Sequence, residues 1–205
     1  LSTSERIALS RVRAEQLGEE AALSSGVLET LIPDLSCSNC SELVFSFGRG
    51  VGKQHRNMTS LLDAIRRYLI YPTGGMNSIW VGGLIAGWTE KSPAAVEEFM
   101  DSIIEDAGWG KWFVELQIQA GLDEAGFERL LRAIDLGICP VRQYERLALG
   151  RRTDLLTVSQ IMNLSEGLCL KRKDGLHVAI RILAMVISCT DRKDQGYIGE
   201  FAKSL

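Results

Sequence analysis

From residue 57 onward the apolar residues return at every third or fourth position, a spacing that an α-helix turns into one continuous face. Met58, Leu61, Leu62, Ile65 and Leu69 stand at i, i+3, i+4, i+7 and i+11, with Asp63, Arg66 and Arg67 on the other side. Strand pairing needs strict alternation instead, and this run lacks it. The chain is therefore read first as a set of helices that must find partners for their apolar faces.

The run 76–88 predicts a closely packed helix, with Met76, Ile79, Trp80, Leu84 and Trp88 as its large residues and Gly82, Gly83 and Gly87 among them. Ser92 and Pro93 supply an N-cap and a first-turn proline, Glu97 and Glu98 suit the positive end of the helix dipole, and Val96, Phe99, Met100, Ile103 and Ile104 form one face. A helix over 109–120 follows Gly108. Asp123 then caps a helix carrying Phe127, Leu130, Leu131 and Ile134, which ends at Gly137 before Pro140 and has a Glu128–Arg132 pair at i,i+4. Further helices are expected near 140–149, 157–170 and 174–189. The last, capped by Asp174, is apolar almost all round and is expected to be buried between neighbours. Before residue 57 the pattern gives helices at 4–17 and 20–32, and over 42–47 a continuing helix or, alternatively, a short strand.

Paired in order, these helices make hairpins beginning near 57, 93, 123 and 157, close to the period of ~33–47 residues typical of helical-hairpin repeats. Leu61-Leu62-Asp63-Ala64-Ile65 returns 69 positions on as Leu130-Leu131-Arg132-Ala133-Ile134. The expected fold is all-α, a right-handed array of antiparallel helical hairpins, that is, an α-solenoid of TPR or HEAT type. The expected organisation is an N-terminal helical portion over 1–47, a glycine-rich connector over 48–56, and the hairpin array over 57–205, which together may be counted as one continuous domain.

The stretch most like a catalytic signature is FSFGRGVGKQ at 45–54, three glycines at alternate positions followed by Lys53. A phosphate-binding loop needs a first glycine five positions before its Gly-Lys and a hydroxyl after it, so that backbone N–H groups wrap the phosphates and the hydroxyl meets magnesium. Here Phe47 and Gln54 occupy those positions. The stretch is read as a joint between helical blocks, and a nucleotide- or phosphate-binding enzyme using Gly48–Lys53 is the alternative. Cys37 and Cys40 have the spacing of a zinc or redox pair, but His55 is the nearest further ligand and no second pair exists, so metal binding there stays open and no metal site is assigned. His177 has no nucleophile or carboxylate at catalytic spacing, and no GxSxG or HExxH occurs. No catalytic residue and no cofactor is expected.

Glu97, Glu98, Asp101, Glu105 and Asp106 are read as the solvated side of an amphipathic helix. Basic groups at Arg66-Arg67, Arg151-Arg152 and Lys171-Arg172-Lys173 lack the interleaved aromatics that stack bases. Nucleic-acid binding through these clusters is a second alternative, set against a net charge of −3. Trp109, Trp112 and Phe113 form the densest aromatic group, and Trp109, Trp112, Arg151 and Arg152 are the residues expected to touch a partner. The longest apolar run, IWVGGLIAGW, falls far short of the ~20 residues that span a bilayer. With five cysteines, an odd number, and no apolar leader, a cytoplasmic location is expected. Leu1 and Leu205 as end residues suggest a segment of a longer polypeptide.

Residues 121–190, including GLDEAGFERLLRAIDLGICPVRQYERLALGRRTDLLTVSQIMNLSEGL and KDGLHVAIRILAMVI, resemble the TPR- or HEAT-like helical-repeat regions beside the ATPase modules of large bacterial signalling and phage-defence proteins of the STAND type. The residues that carry the likeness are packing residues, among them Phe127, Leu130, Leu131, Tyr144, Gly150, Leu176, Ile180 and Leu183. The resemblance implies a non-catalytic sensor, scaffold or protein-interaction segment whose partners are proteins or domains of its own parent chain. It transfers no active-site residue.

Overall fold

The computed structural model describes residues 2–24, 26–37, 41–70, 78–149, 152–189 and 192–205. Every regular element among them is helical, and none is a strand. The chain divides into two compact units, Leu1–Met100 and Asp101–Leu205. Neither boundary of the expected 48–56 connector coincides with that division.

The first unit holds α1 (Thr3–Leu23), α2 (Val27–Cys37), α3 (Ser41–Gln54), α4 (Met58–Ile70), α5 (Ile79–Lys91) and most of α6 (Pro93–Ile103). Ser2 opens α1 with a reciprocal cap: its Oγ accepts from the Glu5 backbone N–H at 3.2 Å while its own N–H donates to Glu5 Oε2 at 2.6 Å. The helix then runs through Gly18, where the sequence suggested a break after residue 17. α3 likewise passes straight through Gly48, Gly50 and Gly52 to Gln54, so the expected connector and the alternative strand over 42–47 are both corrected to helix.

α3 packs against α1 on one side and α5 on the other, and the contacts rise together along each pair. Arg11 meets Glu42 and Ala22 meets His55 between α1 and α3; Gly83 meets Phe45, Gly87 meets Arg49 and Lys91 meets His55 between α5 and α3. The three helices therefore run parallel, and α2 and α4, which pack on each other, lie between them in the chain. Met58, Leu61, Leu62 and Ile65 of α4 are buried as their spacing predicts.

The second unit contains a 3-10 turn (Gly110–Trp112), α7 (Phe113–Ala120), α8 (Glu124–Leu136), a 3-10 helix (Val141–Ala148), α9 (Val158–Lys171), α10 (Gly175–Cys189) and α11 (Arg192–Ser204). Asp123 caps α8 through the Gly126 N–H at 2.9 Å, and Gly137 ends it in the left-handed region at φ 68°. The single helix expected over 109–120 is split, and that expected over 140–149 is 3-10 in form. Three residues per turn bring Val141, Tyr144 and Leu147 to one side, and Tyr144 and Leu147 are fully buried. Asp174 does not cap α10: its φ of 63° is left-handed, whereas an N-cap is extended. Nor is α10 enclosed, since Val178, Ile182 and Leu183 are buried while Leu176 and Ile180 are exposed.

Candidate functional site

The alternating glycines are a consequence of helix geometry. Positions 48 and 52 are four apart and share a face, while position 50 is about 200° away on the opposite one. A β-carbon at Gly48 would lie 2.0 Å from the Trp80 carbonyl oxygen, and one at Gly52 would lie 2.1 Å from that of Leu84, both on α5. One at Gly50 would lie 2.0 Å from the Glu15 carbonyl oxygen on α1. The neighbours reciprocate, with Gly18 on α1 set against Phe47, and Gly83 and Gly87 on α5 set against Phe45 and Arg49. GRGVG is thus the sequence of a helix that two others approach backbone to backbone, with no room for a side chain at the glycines.

Four charges close over this packing. Lys53 Nζ of α3 lies 2.5 Å from Glu15 of α1 and 3.2 Å from Glu90 of α5; Arg49 lies 2.6 Å from Glu90 and 3.5 Å from Glu15. The hydrogen bond to Glu15 raises the Lys53 pKa against the opposing effect of burial. Burial works against the Glu90 charge as well, but hydrogen bonds from Arg49 and Lys53 outweigh it and hold that carboxyl below its ordinary range. Lys53, which the phosphate-binding alternative would aim at a phosphate, is shared between two carboxylates, and the backbone around it belongs to a helix that begins at Ser41. The geometry of a phosphate loop is absent from Gly48–Lys53. His55 completes the joint: its ring Nδ1 is 3.3 Å from the Ala22 carbonyl oxygen, and its own carbonyl accepts from Lys91 Nζ at 3.2 Å.

No family model, curated protein or solved structure matches this chain. The remaining site expectations are judged on geometry alone. Cys40 and the side chain of Cys37 lie outside the described residues, as do Gly150 and Arg151, and among the described residues no group of His, Cys, Asp or Glu is placed to hold a metal. His177 stands exposed on α10. Trp109 is buried, so it is a core residue, while Trp112 is partly exposed with a buried indole nitrogen that has no partner among the described residues. Arg152 is half-buried.

The acidic face read as solvated is used between helices. Asp101 accepts a two-pronged bond from Arg129, 2.6 Å at Nε and 3.2 Å at Nη2, and that bond holds its carboxyl below the usual range. Glu105, in the turn after α6, takes Arg132, so Arg132 is directed there instead of making the expected i,i+4 pair with Glu128. Lys171 bonds Asp135 at 2.5 Å, and Arg172 donates to the Cys139 carbonyl at 3.0 Å beside the end of α8. Much of the basic triplet is therefore committed within the second unit. Cys139 is buried and its thiol is pushed up to about 11, so it stays protonated and unreactive. No helix of the described residues is long and apolar enough to cross a membrane.

Proposed function

We propose that the chain is a non-catalytic helical-repeat segment, an α-solenoid of antiparallel TPR- or HEAT-like hairpins. It presents a surface to protein partners, or to other domains of its own polypeptide, in the cytoplasm. One observation carries the reading. In the second unit, side chains separated by 36 residues meet three times: Glu124 with Gln160, Asp135 with Lys171, and Glu145 with Arg181. A constant separation between bonded residues is what stacking of equivalent hairpins produces, because each repeat places the same position beside its predecessor. In the first unit the parallel course of α1, α3 and α5, with α2 and α4 between them in the chain, fits the same scheme, and its cross-helix bonds span 31 to 41 residues.

A repeat of this kind supplies curvature and a long contact surface and needs no active-site loop. The likeness to repeat regions beside STAND-type ATPases is consistent with a sensor or scaffold role within a larger bacterial protein, including one of phage defence. Titration calorimetry with magnesium–ATP tests the non-catalytic part. The expected outcome is no saturable heat with either the wild-type chain or Lys53→Ala. Tight magnesium-dependent binding that Lys53→Ala abolishes would restore the enzyme reading.

A further inference from the structure

Arg152 is half-buried, yet its guanidinium makes no hydrogen bond or ion pair with any described residue. A second guanidinium, Arg146, lies close by on the 3-10 helix and is 3.3 Å from Glu115, whose side chain is only 5% exposed. Burial first, and then the Arg146 charge, draw the Arg152 pKa below its ordinary value, and Glu115 offsets this only in part. Two guanidiniums therefore share the one Glu115 carboxylate, and a partly desolvated cation with no hydrogen-bonded counter-ion among the described residues gains from an incoming anion.

The surroundings say what kind of anion. Leu149 and Leu155, three residues to either side, are 53% and 75% exposed. Thr153 and Leu156 are buried and fix the segment, which borders a cleft of about 260 Å³ whose lining includes Asp154 as well as Leu156, Ile161 and Val186. Asp154 on the same turn already has an interaction of its own. Two cations that share one buried carboxylate, next to exposed leucines, suit a carboxylate set among aliphatic side chains. A polyanion is a poorer fit, because two guanidiniums do not track a phosphate backbone and the chain carries a net charge of −3.

We propose that Arg146 and Arg152, flanked by Leu149 and Leu155, form a docking site for an extended segment of a partner protein bearing an Asp or Glu between aliphatic residues. The site rests on the interaction-module reading and gives it an address. Peptide-phage selection on the intact chain tests it, with affinities of enriched peptides then measured by fluorescence anisotropy. Enrichment of an acidic residue between Leu, Ile or Val is expected. Arg152→Gln should weaken such peptides about tenfold, the scale of losing one charge-assisted contact, and changing the peptide's acid to its amide should add little further loss in that variant. Because Arg152 makes no hydrogen bond to a described residue, Arg152→Gln should melt within about a degree or two of the wild type, and Arg152→Lys, which keeps the charge, should bind with intermediate strength. The site is overturned by an absence of enrichment, by peptides that bind Arg152→Gln and wild type equally, or by a 20-nucleotide single-stranded DNA binding more tightly than the peptides in an Arg152-dependent manner. Peptides indifferent to Arg152 would remove this site alone, whereas failure of the wider reading appears in the nucleotide titration.

Discussion

Replacing Gly50 by alanine is expected to destabilise the first unit by about 3 kcal/mol, the upper end of the usual cost of overpacking. In the middle of an exposed helix the same change is stabilising by roughly 0.5–1 kcal/mol, since alanine loses less backbone entropy. The sign reverses here because the new methyl would lie 2.0 Å from the Glu15 carbonyl oxygen, and a backbone atom has no rotamer by which to yield. Gly48→Ala meets the Trp80 carbonyl at the same distance on the opposite face, so either variant forces whole helices apart. Thermal denaturation followed by circular dichroism should show a fall of roughly 15 °C for each, taking 4–8 °C per kcal/mol for a unit of this size. Gly199→Ala on α11, where nothing lies within 4 Å of the added carbon, serves as the control and should be neutral or slightly stabilising. Equal behaviour of the three variants would contradict the packing described for α3.

Trp80 provides the second large effect. Its side chain is fully buried, and its indole nitrogen is enclosed with no hydrogen-bond partner among the described residues. Trp80→Ala should cost about 3–5 kcal/mol through lost burial and the cavity left behind. Trp80→Phe behaves differently, because it keeps much of the apolar volume and removes a buried donor whose desolvation is otherwise uncompensated. Its expected cost is below about 1.5 kcal/mol, the range for swaps of similar volume. Chemical denaturation with urea separates the cases. A large loss for Trp80→Phe, comparable with that for Trp80→Ala, would mean that the indole N–H is bonded and that the interior at α5 is organised differently.

These two positions also show what the sequence made legible. The period of 3.6 located α4, α6, α8, α9 and α10, because apolar residues recur along each at helical spacing, and α6 and α8 have a cap or a breaker at an end as well: Ser92-Pro93, Asp123 and Gly137. It failed where glycine was taken as punctuation. Gly18, Gly48, Gly50 and Gly52 lie inside helices and serve close approach, and local propensity carries no information about a neighbour more than thirty residues away. The i,i+4 pair of Gly83 and Gly87 was the available hint, since small residues at that spacing make a flat face on which another helix can settle. Glu15 and Glu90 were missed for the same reason, being 38 residues before and 37 after Lys53. The exposed Leu176 and Ile180 were read as core because an apolar face looks the same in sequence whether or not a neighbour covers it. Arg151 and Arg152 stood out together as a basic doublet, but the lack of a hydrogen bond from Arg152 to any described residue and its exposed leucine flanks are visible only in three dimensions.

Hydrogen exchange across residues 45–54, followed by mass spectrometry on the native chain, addresses the account most directly, because it asks whether those amides are helical or free to bind a ligand. Interior helix amides packed on both faces should exchange far more slowly than those of an exposed loop, and adding magnesium–ATP should leave their rates unchanged. Rapid exchange throughout FSFGRGVGKQ, slowed by the nucleotide, would contradict both the packed helix and the non-catalytic reading built on it.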